Sequence, residues 1–238
     1  MTKLSVNINK IALVRNSRGG NMPDVKQMAL DIESFGGEGI TVHPRPDQRH
    51  IRYSDLYELK PVLKTEFNIE GYPSEFFIKT VCDVKPAQVT LVPDAPDALT
   101  SDNGWDTKQY QNMLAEIIQE FKKHNIRTSI FVNPEEEMVE YAKLTGTDRI
   151  ELYTESYATD YSVDREKAIE PFVRAAIKAQ EVGLGLNAGH DLNLENLNYF
   201  VNNIPNLLEV SIGHALVSDA FYYGMQNTIM MYLKQMSK

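Results

Sequence analysis

The sequence predicts an α/β protein folded as a (β/α)8 TIM barrel, and three observations carry that expectation. Short β-branched runs alternate with longer amphipathic stretches along the whole chain. The alternation repeats eight times, at about 30 residues per unit. No Pro- or Ser-rich linker and no shift in composition divides the 238 residues, so residues 1–238 are expected to form a single domain. The competing architecture, an open doubly wound sheet, usually shows a glycine-rich phosphate loop after its first strand. Here the first strand is followed by NKIALVRNSRGG, which contains no GxGxxG.

The eight expected strands are 3–9, 39–44, 66–71, 88–93, 127–132, 149–154, 183–189 and 209–214. Most carry Val, Ile or Leu in their interior, as buried parallel strands do. Between them, NMPDVKQMALDIESFGG places Pro23 near a first helical turn and Gly36 at a C-terminal cap. In NPEEEMVEYAKLTG, Asn133 is the expected N-cap, Pro134 the first-turn proline and Gly146 the stop. In VDREKAIEPFVRAAIKAQEVG, Asp164 can cap, and Pro171 is expected to break or kink the helix. A last helix is expected over 219–235. The longest irregular stretch, 92–107, is a candidate lid or binding loop.

The composition is that of an ordinary globular protein, which excludes a disordered or fibrous chain. The single cysteine, Cys82, excludes an internal disulfide scaffold. No apolar run is long enough to span a bilayer and the N-terminus lacks the apolar core of a signal peptide, so a soluble cytoplasmic protein is expected. A net charge of −9 argues against broad nucleic-acid binding. That charge is uneven. Residues 1–52 hold 8 Lys/Arg against 5 Asp/Glu, a net of +3, and the remainder carries −12. A local anion site near the start follows, with Arg15, Arg18, Arg45, Arg49 and Arg52 as its candidates.

Barrel enzymes carry their chemistry where strands end in βα loops. The first strand ends in Asn7 and Asn9, the second in His43 followed by Arg45, and the third in Glu70. The fourth feeds the loop with Thr100, the sixth carries Glu151, the seventh ends in NAGH with His190, and the eighth in IGH with Gly213 and His214. His50 follows the second strand, so four of the five histidines gather on one face. One such histidine would read as a loop-base hydrogen bonder; four point to a site. Glu70 lies in FNIEG, where a buried carboxylate is either ion-paired, for instance to Arg45, or raised in pKa and able to move protons. Glu151 in RIELYT is a similar case, although alternation could turn it outward. HxH, HExxH and GxSxG are absent, so no metal site or serine elbow is expected, although dispersed barrel ligands stay open. Lys10 reads as an anion-contacting or surface lysine; a Schiff base there lacks support from its polar neighbours.

The segments VNINKIALVRNSRGG, GITVHPRPDQRHI, FNIEG, VTLVPD, LTSDNGWD, NAGHDLN and IGHALV, in this order, resemble the pyridoxine 5′-phosphate synthase family from Leu4 to near the C-terminus. The resemblance implies condensation of 1-deoxy-D-xylulose 5-phosphate with 3-amino-2-oxopropyl phosphate, giving pyridoxine 5′-phosphate, phosphate and water. It implies no metal, no organic cofactor and a homo-octamer. It implies that His43 is the first proton acceptor, Glu70 the second, His190 the proton donor, and Glu151 a carboxylate stabilising the charged transition state. Arg45, His50 and Thr100 would contact the deoxyxylulose phosphate; Asn7, Arg18, Gly213 and His214 would contact the aminoketone phosphate. The chain departs from the family's pattern at three places. Asn9-Lys10 stands where many members have Asp-His. Asp191 follows the NAGH histidine where glycine is frequent. Ser218-Asp219 replaces Gly-Arg. These changes touch the phosphate contacts, among which Asn9, Lys10 and Asp191 are counted as candidates. The competing functions are a different sugar-phosphate barrel enzyme, or a catalytically silent barrel that binds a phosphorylated ligand.

Overall fold

The computed structural model describes residues 1–94 and 103–237. Eight parallel strands close a barrel in sequence order: β1 (Lys3–Asn7), β2 (Gly39–Val42), β3 (Glu66–Gly71), β4 (Gln88–Leu91), β5 (Arg127–Val132), β6 (Arg149–Tyr153), β7 (Gly185–His190) and β8 (Leu207–Ile212), with β8 paired back to β1. The described helices are α1 (Asn9–Asn16), α2 (Val25–Ser34), α3 (Tyr53–Leu59), α4 (Glu75–Val84), α5 (Gln111–Lys123), α6 (Glu136–Leu144), α7 (Glu155–Glu181), α8 (Leu197–Asn203), α9 (His214–Tyr223) and α10 (Met225–Met236).

Apart from a register shift between β7 and β8 at Leu186 and Asn187, the strands alternate, and the alternation explains the whole section of the molecule. Leu4, Val6, Ile40, Val42, Phe67, Ile69, Val89, Leu91, Ile130 and Val132 are buried and belong to the apolar core shared with the helices. The intervening residues fill the barrel with polar groups, because side chains two apart share a face. Barrels of this kind usually pack branched apolar side chains inside; here the middle is a ladder of hydroxyls and amides. Ser5 and Thr41 share a hydrogen bond of 2.8 Å, Asn68 Nδ2 donates to Thr41 Oγ1 at 3.4 Å, and Thr90 donates to Asn68 Oδ1 at 3.1 Å. Such groups tolerate burial because they are paired with one another. At the N-terminal end of the barrel, Glu66 is ion-paired with Arg127, with Arg149 at 3.5 Å and with Lys3 at 3.6 Å.

Several expected boundaries move. Asn9 and Lys10 do not end a strand; they form the first turn of α1, a helix that lacks a side-chain N-cap and so leaves no start signal in the sequence. His214 likewise opens α9 rather than closing β8. The helix after β5 is capped at Glu135, not Asn133. Asn133 instead accepts the Gly104 N–H at 3.0 Å and donates to Asn103 Oδ1 at 2.6 Å, tying the end of the 92–107 loop to β5. The interruption of α7 falls at Asp164 (φ −155°, ψ 87°), whose Oδ1 accepts the Lys167 N–H at 3.1 Å, and Pro171 is carried inside the second half. The expected last helix is two, separated at Gly224, whose φ of +75° favours glycine.

Candidate active site

A cavity of about 450 Å3 opens where the strands end, and most of the residues singled out in the sequence line it. The protonatable ones are His43 beyond β2, His50, Glu70 on β3, Glu151 on β6, His190 on β7 and His214 on α9. Asn7, Asn9, Lys10, Arg45, Asp191 and Gly213 complete the expected set. Arg18 stands exposed on the segment after α1 and is not part of this lining. Thr100 lies outside the described residues.

Glu70 and Glu151 are the inward members of their strands, as Asn68 and Arg149 are two residues earlier. Burial and the negative charges of Asp94 and Glu209 push the Glu70 carboxyl up to about 8, with Arg45 opposing. Glu151 is 3% exposed and raised well above the carboxylate range by burial, then by Glu70 and Glu209. Two carboxyls sharing one low-dielectric site hold protons that belong to the pair. Asn7 Nδ2 donates to Glu70 Oε2 at 3.4 Å, and Asn7 Oδ1 accepts the Asn9 N–H at 3.1 Å. Gly189 in NAGH has a local reason. A Cβ there would stand 2.5 Å from Glu151 Oε1, so only glycine lets the carboxyl approach β7.

The histidines behave in the opposite sense. His43, 5% exposed, is held well below its ordinary value by burial and by the charges of Arg45, His50 and Arg49. His50 is lowered to about 4 by burial, Arg45 and Arg49, so both rings are neutral at neutral pH. Nδ1 of His50 is buried and finds no hydrogen-bond partner among the described residues. Asn9 Oδ1 accepts the backbone N–H of His43 at 2.9 Å, so this amide fixes the segment that carries His43.

The arginine cluster divides. Arg15 is not an anion site: its guanidinium is buried, pairs with Asp55 at 2.7 and 2.9 Å, and donates to the His50 carbonyl at 3.1 Å. Asn16 Nδ2 reaches the same carbonyl at 2.6 Å. Arg45 pairs with Asp94 at 2.7 Å, rather than with Glu70. Asp219, one of the departures, accepts the Tyr232 hydroxyl at 2.8 Å and so joins α9 to α10.

Sequence reasoning missed Phe131, Ser211 and Val92 in the cavity wall and Tyr153 beside it. Their signal was the same alternation: Ser211 precedes Gly213 by two, and Tyr153 follows Glu151 by two. The Tyr153 ring meets His190 edge-on, 5.0 Å between centroids. Among the described residues one group brings three potential metal-ligand atoms within 4.8 Å of one another, Cys82, Glu120 and His124. It sits on α4 and at the end of α5, outside the cavity.

A (β/α)8 barrel whose mouth combines two proton-holding carboxyls, two neutral histidines and two helix N-termini belongs to the barrel enzymes that move protons on small polar substrates. The family model described as "Pyridoxal phosphate biosynthesis protein PdxJ" matches residues 4–238, and the chain belongs to that family. A protein of Christiangramia forsetii named pyridoxine 5′-phosphate synthase is 63% identical over 234 residues, covering 98% of this chain and 99% of its own. One of Parabacteroides distasonis with the same name is 64% identical over 232 residues, covering 98% of each chain. Among solved structures, 3-keto-L-gulonate-6-phosphate decarboxylase of Vibrio cholerae aligns with a TM-score of 0.68 at 10% identity, covering 99% of this chain and 97% of that one. That likeness concerns the fold alone.

Proposed function

We propose that the protein is a pyridoxine 5′-phosphate synthase that condenses 1-deoxy-D-xylulose 5-phosphate with 3-amino-2-oxopropyl phosphate, releasing phosphate and water in vitamin B6 biosynthesis. The observation that carries the reading is the gathering of His43, Glu70, Glu151 and His190 around one cavity. Burial raises the Glu70 and Glu151 carboxyls and lowers the His43 imidazole.

The chemistry needs such a set. The amine of one substrate adds to the ketone of the other, and loss of water leaves an imine. Phosphate elimination and ring closure then require proton transfers at carbon and oxygen. His43, neutral at physiological pH, is the first acceptor. Glu70, once ionised, is a stronger base than an ordinary carboxylate and is the second acceptor. His190 supplies the proton to the leaving oxygen. Glu151 stabilises the positive charge that develops on the imine nitrogen as a carboxylate, a form that the nearby cation favours. The phosphates are placed at the first turns of α1 and α9, where Asn7, Lys10, Gly213 and His214 stand. First-turn N–H groups and the helix dipole favour anions there. Arg45, His50 and Thr100 contact the deoxyxylulose phosphate, and Asn7, Arg18, Gly213 and His214 contact the aminoketone phosphate. No metal or organic cofactor takes part.

A cytoplasmic location and a homo-octamer belong to the same proposal and rest on the family resemblance. Among the described residues no helix is long and apolar enough to cross a membrane. Purified protein given both substrates should form pyridoxine 5′-phosphate by mass spectrometry. No product under conditions where the Parabacteroides distasonis protein works would end the reading, and a monomer in sedimentation would end the octamer.

A further inference from the structure

Where the family often has glycine, this chain has a carboxylate beside the expected proton donor. Asp191 Oδ2 lies 2.5 Å from Nδ1 of His190, and both residues line the cavity. The contact is built rather than incidental. His190 takes a φ of +107°, a region that residues with a side chain rarely occupy and that persists only when its surroundings enforce it. Thr154, on the turn after β6, supplies the enforcement on both sides. Its backbone N–H and its hydroxyl both donate to the Gly189 carbonyl, at 3.1 and 2.9 Å. Its hydroxyl oxygen also accepts the Asp191 N–H at 3.4 Å. Asn196 Nδ2 reaches the Asp191 carbonyl at 3.4 Å, and Tyr153 closes the remaining side of the ring.

We propose that Asp191 is a positioning residue for the reaction: its carboxylate holds the Nδ1–H of His190, so that Nε2 is the nitrogen that exchanges a proton with the ligand. The proposal rests on the reading of His190 as the proton donor. A carboxylate acts on a histidine in this way by choosing the tautomer, fixing the ring plane and stabilising the charged ring. The strained backbone then has a purpose. Rotation about φ carries the His190 ring and Asp191 together, so the unusual value sets where the pair points relative to β7. Asp191 is thereby removed from the phosphate contacts, since its negative oxygen is turned to the ring and its N–H to Thr154.

The test compares Asp191→Asn, Asp191→Ser, His190→Gln and the double variant His190→Gln/Asp191→Asn. Asp191 has a side chain 38% exposed, so the fold should survive, checked by circular dichroism. Either single change at Asp191 should lower kcat about 10- to 100-fold and leave KM for both substrates within about twofold. The double variant should be no slower than His190→Gln, because Asp191 acts only through that ring. In the ligand-free protein, 15N spectra of labelled histidine should show a proton held at Nδ1 of His190 in the wild type, and its loss from Nδ1 in both Asp191 variants. A raised KM at constant kcat would make Asp191 a substrate contact and overturn the proposal. Unchanged kinetics, or losses that multiply in the double variant, would also overturn it. The spectra need no turnover. If the wild type fails to convert the two substrates, the functional reading falls while the tautomer still decides the contact.

Discussion

Glu66 and Glu70 stand four residues apart on β3, point into the same barrel and meet opposite fates. Glu66 is surrounded by Lys3, Arg127 and Arg149 and serves as the anion of a cationic floor. Glu70 faces Glu151 and Glu209, and the cation that acts on it among the described residues, Arg45, is bound to Asp94. The floor satisfies its charge and gains rigidity; the mouth leaves its charge unfavourable and gains reactivity. Nothing in the residue type distinguishes the two glutamates. What distinguishes them is the set of side chains that the register brings opposite.

The contrast can be broken from either end. Glu70→Gln keeps the shape and removes the base, and should lower kcat about 10²- to 10⁴-fold, measured by product formation. Glu66→Gln should leave kcat near the wild-type value but destabilise the fold by about 3 kcal/mol in urea unfolding, since it strands partly buried cations. That figure is the lower end of the usual cost, because Arg127 is 29% exposed. If Glu66→Gln were the variant that lost turnover at full stability, the division between floor and mouth would fail. Sharper still is the pH dependence. kcat/KM of the wild type should rise with pH through about 8, as Glu70 loses its proton, and Glu70→Gln should lack that rise.

The smallest effect concerns stability. A carboxyl raised to about 8 in the fold binds a proton that the unfolded chain has released above about 4.5, so this group's contribution to stability falls as pH rises between those values. Glu70→Gln removes the loss. At pH 8.5 it should stabilise the fold by about 1 kcal/mol, once solvent in the open cavity is allowed for, and raise Tm by roughly 2–4 °C. A lower Tm would mean that Glu70 is ionised and paired.

Much of this was legible in the sequence because the barrel interior is polar. Alternation made FNIEG and RIELY conspicuous, and the eight strands stood out with their apolar outer residues. Paired interactions between distant segments were not legible. Arg15 looked like an anion ligand because Asp55, its partner, lies 40 residues away. Arg45 was one ion-pair candidate for Glu70, but it pairs with Asp94, which nothing in the sequence singled out. Helix α1 passed unseen for want of a cap, and Pro171 seemed a stronger breaker than Asp164 because a proline well inside a helix forfeits one hydrogen bond without ending it. The same local rules found His190 and its neighbour, but not the backbone turn that orients them.

The latch of Arg15 and Asp55 has one more consequence. It grips the His50 carbonyl from α1, so the loop that carries His50 has its shape before any ligand arrives. Such a loop loses little freedom when it is occupied, and the affinity it confers is not eroded by a disorder-to-order step. Recognition on this side of the mouth is therefore closer to docking into a cast than to closing a hand.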